Sequence, residues 1–352
     1  MEGIQAALFF ERGERLMDKI LYLPCFDFFN HPQRPQHLLW ELSKLGFEVI
    51  YCNVTRSLPD FVRISPTFTL CGNVDALDLK KSYIMWLTHG PYADLLFNFN
   101  LRMVVSDFAD ATVDEFSQFA AYDEKKLEAA DLVLAASQKI FDDLYNRHHN
   151  CHLIKNGVEF EHFNRSLSKG RIPQDLAKLM TKPIIGFWGV LAPWLDFPLI
   201  RTAADMRPNY NFVFLGAASA PVVNLPQGKN IFYLGPRNKE VLPDYARWFD
   251  TAIIPFEVKP VTLAADPLKA YEYLACGLPV VSTYLPQLEG MADVMLSRTP
   301  EEFISNLDRA VFSGKNPEAI ESRIAFARRN SWGMRAAQVA KIIDDTLAFK
   351  IG

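Results

Sequence analysis

The sequence predicts an α/β protein made of two Rossmann-like, doubly wound domains that face each other. Three observations carry this. Short apolar runs, KILYLP at 19–24, FEVIYC at 47–52 and YIMWL at 83–87, alternate with helical periodicity, the pattern of a parallel sheet covered on both faces. The rhythm lapses in a polar stretch at 161–182 and restarts at PIIGFWG, 183–189. The 352 residues, 49% of them hydrophobic, are enough for two cores of ordinary domain size.

Composition removes several function classes. A formal net charge of -4 argues against a general polyanion binder, so no nucleic-acid partner is expected. The five cysteines, Cys25, Cys52, Cys71, Cys151 and Cys276, are scattered without metal-ligand spacing. They fit free thiols in a reducing compartment and predict no metal site. The apolar run at 6–10 is too short for a signal peptide, and no run is long enough to cross a bilayer. A cytoplasmic protein is expected, with 1–16 as a peripheral extension. No G-x-G-x-x-G follows any strand, which argues against a nicotinamide-dependent oxidoreductase.

In chain order, the first strand at 19–24 leads into the loop 25–33 and a helix opened by Pro35. Leu38, Leu39, Leu42 and Leu45 keep its spacing and Gly46 ends it. Strands follow at 47–52, at 83–87 and at 103–106. Asp107 and Asp110 then sit three apart just beyond a strand, either as carboxylates orienting acceptor hydroxyls or as caps of a helix near Thr112. ADLVLAAS at 130–137 reads as a strand and an N-cap, and CHLIKNGVEF at 151–160 closes the domain. After the linker, strands are expected at 183–189, 211–215, 231–234 and 251–254. Helices are expected from Asp196 and at 300–312, 317–329 and 333–349, with Trp332 as a packing anchor.

The stretch AADPLKAYEYLACGLPVVST, 264–283, carries the chemistry. Asp266 reads as an N-cap, Pro267 as the first helical residue, Gly277 as a left-handed stop and Leu278 to Val281 as a buried strand. Leu268, Tyr271 and Ala275 make one apolar face; Lys269, Glu272 and Tyr273 fall on the other. The free first amides of such a helix receive phosphate oxygens, and Glu272, deeper along it, accepts from a vicinal diol. Either this is a nucleotide site or it is an ordinary amphipathic helix with a solvated glutamate.

This pattern, D-P-L-K-x-Y-E-Y-L-A-x-G-x-P-V-V, resembles the donor-nucleotide helix of GT-B glycosyltransferases of the family 4 / family 1-like group, in particular those of the teichuronic-acid-biosynthesis type. R-P-Q-H-L-L at 34–39 and A-D-x-V-x-A-x-S followed by I-x-N-G-V extend the resemblance over much of the chain. It implies the GT-B fold, two facing Rossmann-like domains with an interdomain cleft. The expected bounds are 1–165 for the acceptor-binding domain, 166–182 for the linker and 183–330 for the nucleotide-sugar-binding domain. The last helix, 331–352, crosses back to the first domain. The implied activity is transfer of a hexose-type sugar from a nucleoside diphosphate, UDP by family habit, with retention of configuration. The matching glutamate, Glu272, holds the donor ribose.

Two departures alter the expected site. Ala264 stands where the family has a second glutamate against the donor sugar. Val190 and Leu195 stand near where a basic pair balances the diphosphate. Lys269 is the leading substitute, with Lys259 and Arg34 from other loops; Arg237 either contacts the base or is an exposed turn arginine. With Asp266, Pro267, Leu268 and His31 these make the expected nucleotide-sugar site, with no cofactor and no metal. His89, Arg34 and Asp107 are the expected catalytic residues, His89 matching the family's histidine beside the donor sugar. The acceptor is expected to be a saccharide or lipid-linked saccharide. For the latter, the aromatics at 26–29 and 96–99 and the local charges Lys80, Lys81, Lys125 and Lys126 either favour peripheral membrane contact or are solvated faces. The alternatives are a GT-B-fold nucleotide-sugar epimerase and a catalytically inactive GT-B partner subunit.

Overall fold

The computed structural model describes residues 18–29, 32–56, 58–219 and 225–351. The chain divides by contact into two units, Met1–Asn156 with Trp332–Gly352, and Gly157–Ser331.

Unit 1 contains β1 (Lys19–Tyr22), α1 (Arg34–Lys44), β2 (Glu48–Cys52), β3 (Phe61–Ser65), β4 (Phe68–Cys71), β5 (Ser82–Leu87), β6 (Asn100–Phe108), α2 (Asp123–Glu128), β7 (Leu132–Ala135), α3 (Gln138–Leu144) and β8 (Cys151–Leu153). The eight-stranded sheet has the order β3-β4-β2-β1-β5-β6-β7-β8. Every pairing is parallel except β3 with β4, a hairpin that the sequence reading did not anticipate. Strand and helix starts follow local chemistry. Ser137 caps α3 by accepting from the Ile140 amide (3.3 Å), and Pro35 sits in the first turn of α1. The last helix of the chain packs here: Trp332 is buried and stacks on the His37 ring at 5.1 Å.

Unit 2 contains α4 (Phe160–Asn164), α5 (Gln174–Ala177), β9 (Ile184–Trp188), α6 (Phe197–Met206), β10 (Asn211–Leu215), β11 (Ile231–Tyr233), α7 (Leu242–Ala246), β12 (Thr251–Ile254), α8 (Pro260–Ala264), α9 (Leu268–Ala275), β13 (Val280–Thr283), β14 (Val294–Ser297), α10 (Pro300–Ser313) and α11 (Pro317–Arg329); α12 (Trp332–Ile351) returns to unit 1. The order β11-β10-β9-β12-β13-β14 is wholly parallel. Asp196 caps α6 by accepting from the Leu199 amide at 2.8 Å.

Two expectations are corrected. The stretch 161–182 is not a linker, since it folds into α4 and α5 within unit 2. Phe160, Phe163 and Leu176 anchor it in the core, and Asn164 donates to the Ala275 carbonyl at 3.0 Å. Three buried apolar side chains suffice to fix a segment whose average composition is polar. Tyr273 is not on a charged face of α9 either. It is fully buried, and its hydroxyl accepts from the Trp188 amide at 3.2 Å.

Candidate functional site

In each sheet the strand order reverses direction at one point, and open α/β sheets bind ligands there, at the carboxyl ends of the strands. In unit 2 this point lies between β9 and β12. β9 delivers Trp188 and Gly189 to that edge. Gly189 has φ 135°, a backbone conformation that strains any residue with a side chain. A Cβ there would lie 2.2 Å from Lys269 Cε and 2.7 Å from its Nζ, so the Lys269 side chain from the first turn of α9 crosses the end of β9. Its ammonium stands 5.7 Å from the Phe187 ring centroid. A cation from α9 thus stands at the end of β9, where Val190 and Leu195 supply none; Leu195 itself is buried in the core.

Glu272, one turn on, is half-buried, and its Oε2 accepts from Trp188 Nε1 at 2.7 Å. The indole is braced edge-on by Tyr273 at 4.3 Å and in parallel by Phe163 at 6.0 Å. Burial pushes the Glu272 carboxyl up, opposed by Lys269 and by the Trp188 bond; burial pushes Lys269 down, opposed by Glu272. Each therefore opposes the other's loss of charge in a partly dry place. The sequence offered no sign of the Trp188 brace beyond an aromatic residue at a strand end.

The helix entrance differs from expectation. The N-cap position falls on Pro267, Leu268 is the first helical residue, and Asp266 stands one residue outside. The Asp266 carboxylate is buried and accepts from the Tyr271 hydroxyl at 2.9 Å. The Ala270 amide turns back to the Pro267 carbonyl at 3.1 Å, leaving those of Leu268 and Lys269 as the helix's first donors. Lys259, after β12, is at the same edge, 22% exposed, with its ammonium 3.9 Å from Glu257. Arg237 is half-buried and engaged: it pairs with Asp175 and donates from Nε to the Tyr245 hydroxyl at 2.8 Å. That network ties the loop after β11 to α5 and α7, so Arg237 is an engaged side chain and not a free turn arginine.

In unit 1 the order reverses between β1 and β5. Thr88 and His89 follow β5 directly. His89 is half-buried, held edge-on by Tyr92 at 5.2 Å and by Phe119 at 5.6 Å. Burial lowers its pKa, and the charge of Lys126 lowers it further. Tyr92 also lines a groove of about 560 Å³, with apolar residues such as Leu77, Leu79 and Leu95 and with Arg56 and Asp75 among the polar ones; His89 itself is not in its lining.

Arg34 and Asp107 are not presented to a ligand. They are 3% and 0% exposed and pair with each other, Nε to Oδ1 at 2.9 Å. Arg34 Nη1 also donates to the Ile154 carbonyl at 2.7 Å, and its Nη2 is buried without a partner. The reason is that β6 runs to Phe108, so Asp107 lies inside the strand and meets the first turn of α1. Asp110, beyond the strand, is the exposed carboxylate of the pair. No helix starts at Thr112; a 3-10 segment, Asp114–Tyr122, follows instead. His31 lies outside the described residues. Lys125 is exposed and pairs with Asp94 at 2.7 Å, whereas Lys126 is buried, which the sequence did not separate. Among the described residues no group of three or more His, Cys, Asp or Glu side chains could hold a metal ion, and no helix is long and apolar enough to cross a membrane.

Two parallel sheets with this strand order and a ligand edge at each reversal define the GT-B class of fold. Solved structures of that class align over nearly the whole chain. Sucrose-phosphate synthase from Thermosynechococcus elongatus has a TM-score of 0.68 at 15% identity, covering 94% of this chain and 99% of that one. The Anabaena protein HepE, solved in complex with UDP, has a TM-score of 0.68 at 14% identity, covering 94% and 100%. In sequence, residues 182–312 match the family described as "Glycosyl transferases group 1", so the chain carries a group 1 glycosyltransferase domain. It is 26% identical over 231 residues to TuaH of Bacillus subtilis, whose name places it in teichuronic acid biosynthesis as a glycosyltransferase. That match covers 61% of this chain and 57% of TuaH.

Proposed function

We propose that this chain is a glycosyltransferase moving a hexose-type sugar from a nucleoside diphosphate, UDP in our reading, to a saccharide or lipid-linked saccharide. One observation carries the proposal: Lys269 lies across Gly189 at the sheet's switch point, one turn from a glutamate held by Trp188. A cation and the first amides of α9 are what a departing diphosphate needs, and a fixed carboxylate is what a ribose diol needs. The structural relative HepE was solved with UDP and glucose, which supports the choice of donor. Lys269 and the helix amides take the part a divalent ion would otherwise play, so transfer is proposed to be metal-independent. Retention of configuration is proposed from the family resemblance.

In unit 1, His89 is proposed to meet a sugar hydroxyl as a neutral imidazole, which hydrogen-bonds without becoming a base. The groove that Tyr92 lines, with Val54, Leu79 and Leu95 between 42% and 53% exposed, suits an acceptor with an apolar aglycone. With such an acceptor the protein works in the cytoplasm, at the inner face of the membrane. Ala264, buried at 3% exposure where the family carries a glutamate, favours a second reading: an inactive partner subunit, or altered donor-sugar recognition.

The test is a panel of UDP-, GDP- and ADP-sugars scored for nucleoside diphosphate release, with and without glycan acceptors and with EDTA. UDP release that rises with acceptor and survives EDTA is expected. Binding of UDP without any release would select the partner-subunit reading. No binding of any nucleotide would sink both.

A further inference from the structure

Lys126, in α2, is 5% exposed, and no carboxylate is among its hydrogen-bond partners. Its ammonium donates to the Thr88 carbonyl at 3.1 Å and to the Asp107 carbonyl at 3.3 Å, and it lies 3.9 Å from the Phe108 ring centroid. Its stem reaches the other side of His89: a Cβ on Gly90 would lie 3.5 Å from Lys126 Cδ and 2.5 Å from Tyr122 Cβ. One buried side chain thus bonds to the residue before His89 and runs beside the residue after it. Buried lysines are rarely left without an acidic partner, because desolvation penalises the ammonium.

We propose that Lys126 is a positioning residue for His89, holding the carbonyl of the residue before it, running its stem beside the glycine after it, and setting the field in which the imidazole meets a sugar hydroxyl. The surroundings of both groups are consistent with this. Burial pushes the Lys126 ammonium down to about 8, against the opposing charges of Asp123, Asp107, Asp110 and Cys25. It therefore still carries its proton at neutral pH, where it disfavours imidazolium at His89. The other titratable groups here are Tyr92 on the segment after His89, Tyr122 and Asp123 before and within α2, Asp107 in β6 and Asp110 just beyond it, and Tyr22 and Cys25 in and after β1; Asp94, Glu124, Lys125 and Glu128 on the same elements are exposed. Of these influences, burial and then the Lys126 charge are what lower the His89 pKa.

The sugar hydroxyl rests on the glycosyltransferase reading; the coupling of Lys126 to His89 does not, and it can be read without turnover. The experiment is a pH titration of ¹⁵N-histidine signals in the whole chain, with His89 assigned through His89→Asn. In Lys126→Gln and Lys126→Met the His89 midpoint should move up, and in Lys126→Arg it should return toward the wild type. His152 and His162, which Lys126 does not perturb, should stay put as controls of folding. In the wild type the His89 signal should show a second inflection near pH 8 as Lys126 gives up its proton, absent in Lys126→Arg. An unmoved His89 midpoint in folded Lys126→Gln overturns the proposal. If that variant does not fold, a wild-type His89 signal that is flat through pH 8 overturns it. A coupled pair in a chain that binds no nucleotide refutes the function and leaves the assignment of Lys126 standing.

Discussion

Replacing Glu272 separates what the carboxylate does for a ligand from what it does for the fold. In Glu272→Ala the Trp188 N–H, in a residue 3% exposed, loses the acceptor it holds at 2.7 Å. A buried donor left unmet costs about 1–3 kcal/mol of stability. If the same carboxylate also accepts from a ribose diol, losing one or two charge-assisted bonds should cost about 2–4 kcal/mol of binding, on the order of 30- to 1,000-fold in Kd. Glu272→Gln is the discriminating partner, because its amide oxygen can still accept from Trp188. Neutral acceptors are roughly half as strong, so about a tenfold loss of UDP affinity is expected with little loss of stability. The pH dependence has a definite sign. Burial raises the folded pKa of Glu272, so its protonated form favours the native state, and stability falls as pH rises from 4.5 through that raised value. Glu272→Gln lacks this slope and should melt no lower than the wild type at pH 7. Calorimetry with UDP alongside thermal melts reads both quantities. Wild-type UDP affinity in both variants would refute the reasoning, and lost stability with unchanged affinity in Glu272→Ala would reduce Glu272 to a brace for Trp188.

Three further outcomes are expected. Asp107→Asn leaves the Arg34 guanidinium buried beside a neutral partner, and urea melts should show a loss of about 3–5 kcal/mol; a stable, inactive variant would instead return Asp107 to catalysis. Gly189→Ala must strain a φ of 135° and displace Lys269, so about 1–3 kcal/mol of stability and much of the UDP affinity should go together; wild-type affinity would detach Lys269 from the donor site. Lys126 binds its proton less tightly folded, at about 8, than unfolded, near 10.5, so its desolvation cost is full below pH 8 and fades as pH rises through that window. Relative to Lys126→Met, the wild type should therefore gain on the order of 3 kcal/mol between pH 7.5 and 10.5 in denaturant melts, and parallel curves would contradict the burial of a charged ammonium.

Periodicity and punctuation made most of the fold legible from sequence. The strands at β1, β2, β5, β9, β10 and β12 are apolar runs bounded by turn residues, and Ser137, Asp196 and Gly277 stop or start helices where local chemistry requires it. What escaped depends on partners distant in the chain. Nothing near Asp107 announces that Arg34, 73 residues earlier, will neutralise it, and nothing near Lys126 separates it from the exposed Lys125. The β3–β4 hairpin escaped because its first strand, FVRIS, buries no residue fully and its apolar positions do not alternate with polar ones. The stretch 161–182 reads as a linker because its average composition hides two core residues, Phe163 and Leu176, among polar ones.

The donor edge shows how far local reading can reach. A missing basic pair is visible in sequence as Val190 and Leu195; if the proposed diphosphate donor binds here, charge balance demands that a cation come from elsewhere, and Lys269 is the basic residue in the first turn of the helix at that edge. The demand alone does not say that the side chain can arrive. It can because Gly189 has no Cβ and adopts a conformation closed to other residues, leaving the space that the lysine stem fills. Moving the cation from the strand loop to the helix thus makes Gly189 and Lys269 one device. Glu272, a turn further on, is coupled to the same lysine, since each opposes the other's loss of charge. Substituting any one of the three should therefore alter the effect of substituting the others, so their contributions to nucleotide affinity are expected to be non-additive.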